Sequence, residues 1–123
     1  MTAMTVPVSG YAQAARALET PRSIEYRVFS AITGRMRRAS EAADAFPALV
    51  AALHENLSLW TTIMADAADS RNGLPAQLRA QLVYLGDFTR AHTQKVLRRE
   101  ANVAPLIDIN TSVMRGLRAR TAP

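Results

Sequence analysis

The chain has 123 residues, 49% hydrophobic and 20% charged, with five Gly, six Pro, no Cys and a formal net charge of +5. That length and apolar content can close one domain that buries roughly two thirds of its unfolded surface, which excludes wholesale disorder and collagen-like or low-complexity architectures. Without Cys there is no disulfide scaffold, thiol nucleophile or cysteine zinc site, and His54 and His92 alone are too few for a multi-histidine metal centre.

In chain order, Met1–Gly10 has neither a basic n-region nor an apolar h-region, so no secretory signal is expected. Residues 1–8 are expected to be a flexible segment. A short helix is expected near Tyr11–Glu19, capped by Ser9. Thr20-Pro21 then reads as a helix start, with Thr at the N-cap and Pro at the first helical position. From there Ile24, Val28, Ile32, Met36, Ala39 and Ala43 recur at steps of three or four and share one face. Phe46-Pro47 opens the next stripe, Leu49, Leu53, Leu57, Trp60, Met64 and Ala67. Asp69-Ser70-Arg71-Asn72-Gly73 is a turn by composition, and its Asn-Gly pair can take positive φ. Pro75 restarts a helix with the stripe Leu78, Leu82, Leu85, Phe88, His92 and Val96. Asn102 caps a last helix from about Pro105, with Leu106, Ile109, Val113 and Leu117 on one face and residues 119–123 as a loose tail.

No stretch alternates as a strand would. The long patterns correspond to helices of about 30–37 Å joined by short connections. The expectation is a single all-α domain over residues 9–118: an up-down bundle of three long helices closed by shorter N- and C-terminal ones. No apolar run approaches the ~20 residues of a membrane span.

The charge is unevenly placed. Residues 1–89 carry eight Arg against eight acids, whereas Arg90, Lys95, Arg98, Arg99, Arg115, Arg118 and Arg120 face only Glu100 and Asp108. Such asymmetry suits an acidic partner, an anionic membrane or nucleic acid, and equally suits cations gathered at helix C-termini against the dipole. An RNA surface would want interleaved aromatics for stacking, and residues 90–123 have no Phe, Tyr or Trp. A helix-turn-helix around Gln77, Arg79 and Gln81 fits poorly, because the helix is too long and Asp66 and Asp69 precede it.

Catalytic motifs are weak. His54-Glu55 lacks the second His of a zinc protease, since Ser58 stands there, and the glycines form no phosphate-binding loop. No catalytic residue, cofactor or metal is expected. Trp60 and His92 read as core residues. His54, Glu55 and Asn56 read as a solvated face, a set of interhelical hydrogen bonds, or a polar rim beside an apolar groove. In Leu106-Ile107-Asp108-Ile109-Asn110, Ile107 adds a second apolar surface, and Met114 lies one turn beyond Asn110. The candidate partner-binding residues are therefore Ile107, Asp108, Asn110, Met114, Arg115 and Arg118, with Arg90, Lys95 and Arg98 from the preceding helix. Burial of Ile107 and Met114 on an N-terminal helix is the competing explanation.

Four blocks in order carry a family resemblance: Pro21-Arg22-Ser23-Ile24-Glu25, Leu53-His54-Glu55-Asn56-Leu57-Ser58-Leu59-Trp60, Asn72-Gly73-Leu74-Pro75, and Leu106-Ile107-Asp108-Ile109-Asn110 with Met114-Arg115-Gly116-Leu117. Over about residues 11–118 the chain resembles the FlaF family of alphaproteobacterial flagellar biosynthesis regulators. The resemblance implies a cytoplasmic, non-enzymatic regulator of flagellin synthesis and secretion that binds flagellin as a chaperone. It also implies a functional link to FlbT, a repressor acting on flagellin mRNA. Direct RNA binding by the basic C-terminal third is the alternative.

Overall fold

A computed structural model describes the backbone of residues 16–69 and 71–121, and the side chains of 26–69 and 71–116. The expected Ser9 cap and the residue 1–8 segment lie outside these. Among the described residues there are four helices and no strand: α1 (Arg16–Glu41), α2 (Phe46–Ala68), α3 (Ala76–Leu97) and α4 (Ala104–Thr121).

The first helix differs from expectation. Thr20-Pro21 does not start it, because α1 is continuous from Arg16 for 26 residues. Proline lacks one N–H, so a helix that passes through Pro21 forgoes one hydrogen bond there and need not end. The helix α2 does open at Phe46-Pro47, with Ala45 as N-cap and no side-chain cap bond. At the other boundary expected from sequence, the Asn102 Oδ1 accepts the Ala104 N–H at 2.9 Å, so Asn102 satisfies one of the orphan donors at the start of α4.

Positive φ occurs where the sequence does not advertise it. Neither Asn72 nor Gly73 adopts it; Asp44 (57°) and Arg99 (60°) do. The turn after α2 closes by side chains instead, with Asn72 Nδ2 donating to the Asp66 carbonyl and the Leu74 N–H donating to Asn72 Oδ1. After α3 the Arg99 N–H donates to the Val96 carbonyl and the Glu100 N–H to the Lys95 carbonyl, at 2.9 and 2.8 Å. This is a Schellman end with arginine in the left-handed position that glycine usually takes. The Arg99 guanidinium lies 4.0 Å from the Phe46 ring centroid, a contact that binds the end of α3 to the start of α2 and offsets part of the strain.

The pairs Arg35–Glu55, Thr33–Asn56 (both bonded to Asn110) and Phe29–Trp60 run in opposite senses along α1 and α2, so these helices are antiparallel. The helix α1 packs on α2 and α4, α2 packs on α1 and α3, and α3 touches α4 only sparsely. Ile32, Met36, Ala52, Leu53, Val96, Val103 and Leu106 form the apolar core. Val28, placed on the core face by its spacing, is exposed; Phe29 and Thr33 are buried instead.

Candidate partner-binding site

Behind any surface lies a polar centre. Thr33, Asn56 and Asn110 are 1%, 0% and 0% exposed. The Trp60 Nε1–H donates to Asn110 Oδ1 at 2.9 Å, and Asn110 Nδ2 donates to Thr33 Oγ1 at 3.0 Å and Asn56 Oδ1 at 2.9 Å. The polarity of this chain is fixed by chemistry. Indole is only a donor, so the Asn110 oxygen must accept, its amide must donate, and Asn56 must present its oxygen. Asn56 Nδ2 is thereby left buried without a partner. The Trp60 ring also meets Phe29 edge-on, with centroids 5.9 Å apart and an interplanar angle of 80°.

Of the residues singled out from sequence, Asn110 is thus taken up by the core and offers nothing to a partner. Ile107 is half-buried and packs on the core cluster, and Met114 is half-buried too. Asp108 and Arg115 are exposed on α4, and the Arg118 side chain lies outside the described residues. On α3 and just after it, Arg90, Lys95 and Arg98 are all exposed. Arg90 is paired with Asp87, and Arg98 with Glu100 at 3.1 Å. Two of these charges are therefore already answered within the chain, while Lys95 and Arg115 have no ion pair among the described residues.

The apolar surface is elsewhere. The buried face of α3 is Gly86, Thr89, Thr93 and Val96. Of the expected stripe Leu78, Leu82, Leu85, Phe88, His92 and Val96 only Val96 is fully buried, and its other members centre about 60° from the buried face. The cause is close packing on α2. A Cβ on Gly86 would collide with Cγ and Sδ of Met64, so with Met64 in this rotamer only glycine fits at this position. Small residues take the contact, and the larger apolar ones move to its edge. Leu78, Leu82 and Leu85 are half-buried, Phe88 is 38% exposed and Tyr84 is 69% exposed. The His92 ring stacks on Phe88 at 5.4 Å between centroids, and its Nε2–H donates to the Asn102 carbonyl at 2.8 Å. Periodicity missed this face because Gly and Thr carry no apolar signal.

A family model described as flagellar protein FlaF matches residues 8–117. The chain belongs to the FlaF family. No curated protein and no solved structure matches it. The FlaF match covers α1, α2, α3 and α4 as far as residue 117, so the polar centre and the α3 face both lie within the family's own extent. Among the described residues of this FlaF chain, no group of three or more His, Asp or Glu is placed to hold a metal ion, and no helix is long and apolar enough to cross a membrane.

Proposed function

We propose that this FlaF protein is a cytoplasmic, non-enzymatic regulator of flagellum biogenesis that controls flagellin synthesis and secretion by binding flagellin as a secretion chaperone. The observation that carries the reading is the family match to a flagellar protein over residues 8–117. The form of the molecule supports it: a small helical bundle whose last third holds two exposed cations, Lys95 and Arg115, with no ion pair among the described residues, and whose α3 leaves Tyr84 and Phe88 at the surface. Amphipathic helical ends of an unassembled filament subunit would self-associate, and a bundle with an uncovered apolar face can shield them. A segment that orders only on binding gives up part of its affinity, which keeps the complex releasable. FlbT is then a functional neighbour that acts on the message for the same cargo.

Direct RNA binding is the second reading. Pairing of Arg90 with Asp87 and Arg98 with Glu100 weakens it, because fewer cations remain for phosphates. Salt separates the two. Titration of purified unassembled flagellin, and separately of a flagellin mRNA leader, is made at 50 and 300 mM salt. Flagellin affinity that changes less than about fivefold supports the chaperone reading, since apolar burial is weakly screened. Tight RNA binding with a steep salt loss, together with no flagellin binding, replaces it.

A further inference from the structure

The geometry points to the outer face of α3, rather than α4, as the apolar half of the docking surface, and to an amphipathic helix of flagellin with carboxylates toward one end as its occupant. This rests on the chaperone reading. Three observations converge on it. First, α3 gives its small-residue face to α2 and barely touches α4, so among the described residues no helix lies over its aromatic edge. Tyr84 and Phe88, one turn apart, are two of the large hydrophobics that the described surface leaves exposed. The α4 candidates do not compete, because Ile107 packs on the core and Asn110 is fully buried.

Second, the exposed line Gln77, Gln81, Tyr84, Phe88, Ala91 and Lys95 extends about 27 Å along α3 without one carboxylate. That is long enough to lie along a partner helix of about five turns, in the groove-and-anchor manner of helix recognition. Third, the charge on the line is one-sided. The neighbouring acids Asp87 and Glu100 are paired with Arg90 and Arg98, so Lys95 at the C-terminal end has no ion pair among the described residues. An occupant that buries apolar residues on Tyr84 and Phe88 and sets a carboxylate at Lys95 satisfies both halves, and the charge pair fixes which way it lies. A second copy of this chain fits less well, because an antiparallel α3 pair would bring Lys95 against the uncharged Gln81 end.

The test is binding of purified unassembled flagellin to three variants of the full chain: Tyr84→Ser with Phe88→Ser, Lys95→Glu, and Ile107→Ser with Met114→Ser. Circular dichroism and the thermal midpoint check that each is folded. The first pair removes exposed side chains, and Tyr84→Ser alone serves if the double variant is unfolded. Expected are a loss of at least tenfold for the α3 pair and at least threefold for Lys95→Glu at 50 mM salt, the latter fading at 300 mM. Any variant of the α4 pair that folds keeps its binding to within threefold. If the wild-type chain binds flagellin and the folded α3 variants bind it equally well, the docking face is elsewhere and the chaperone reading stands. If the wild-type chain does not bind flagellin, both fall together.

Discussion

The seam that joins α4 to α1 and α2 and the seam that joins α3 to α2 are built on opposite principles. In the first, Asn110 reaches across to Trp60, Asn56 and Thr33, so large side chains and a directional network set the register. In the second, Gly86, Thr89 and Thr93 bring two helices close with little to interlock, and the Thr93 hydroxyl donates back to its own helix at the Thr89 carbonyl. The Thr89 hydroxyl is buried without a partner. A network of this kind specifies one arrangement and is costly to disturb. Close packing of small residues fixes distance and leaves the apolar edge free for other use. The bundle thus keeps its stability and its stickiest surface on different seams.

The largest expected effect breaks the first seam. Asn110→Ala strands the Trp60 N–H and the Thr33 and Asn56 oxygens in the core and opens a small cavity. The loss should be about 3–5 kcal/mol by urea unfolding, followed through the fluorescence of Trp60, the chain's one tryptophan. Trp60→Phe keeps an aromatic ring on Phe29 but removes the donor and part of the ring volume, so about 1–3 kcal/mol is expected by urea unfolding followed by circular dichroism, which needs no tryptophan. Equal costs for the two would mean that the ring, and not the hydrogen-bonded hub, holds α4.

The second seam should fail by crowding. Gly86→Ala puts a methyl against Cγ and Sδ of Met64, which then has to leave its rotamer, at about 1–3 kcal/mol. Because the obstacle is one flexible side chain, Met64→Ala should relieve it. The double variant is expected to be more stable than the sum of the two single changes by at least about 0.5 kcal/mol. Additive costs would show that Gly86 matters for backbone approach beyond Met64.

The same contrast explains what was legible in the sequence. Four apolar stripes sufficed for an all-helical fold and for the starts of α2, α3 and α4, because Pro47, Pro75 and Asn102 mark helix starts chemically, whereas the tail expected from residue 119 is helical as far as Thr121. The hub was half visible: Asn110 stands four residues after Leu106 and Asn56 three after Leu53, polar positions on apolar faces. A lone asparagine does not say whether it meets solvent, a partner molecule or three buried neighbours. Only the pairing of helices distant in sequence decides it. On α3 the apolar stripe was seen but its register on the core was not: Val96 is core, Leu78, Leu82 and Leu85 sit at its edge and Phe88 is exposed, since hydropathy is blind to a glycine that serves by being small. The continuous passage of α1 through Thr20-Pro21 was missed for a different reason. A Thr-Pro start signal is local, and a helix already in progress overrides it.

The smallest expected effect concerns the loop that closes the second seam. Two carboxylates there shift in opposite directions. Asp69 is lowered to about 2, first by the hydrogen bonds from the Arg71 side chain and N–H, while Asp66 is raised by burial and then by the Asp69 charge. A lowered carboxylate favours the folded state above its ordinary range near 3.9 and loses that contribution as pH falls through about 2. A raised one acts in the reverse sense: it favours the folded state in acid, and that contribution is lost as pH rises through the folded value. The two therefore partly cancel, and the Asp69–Arg71 pair lies at the surface, where solvent and salt screen it. Arg71→Ala should return Asp69 toward the ordinary aspartate range in an NMR titration while the unfolding midpoint at pH 7 stays within error of wild type. A clear loss of stability in that variant would mean that the loop clamps α3 onto α2, and that the close seam is held from its end as well as by its small residues.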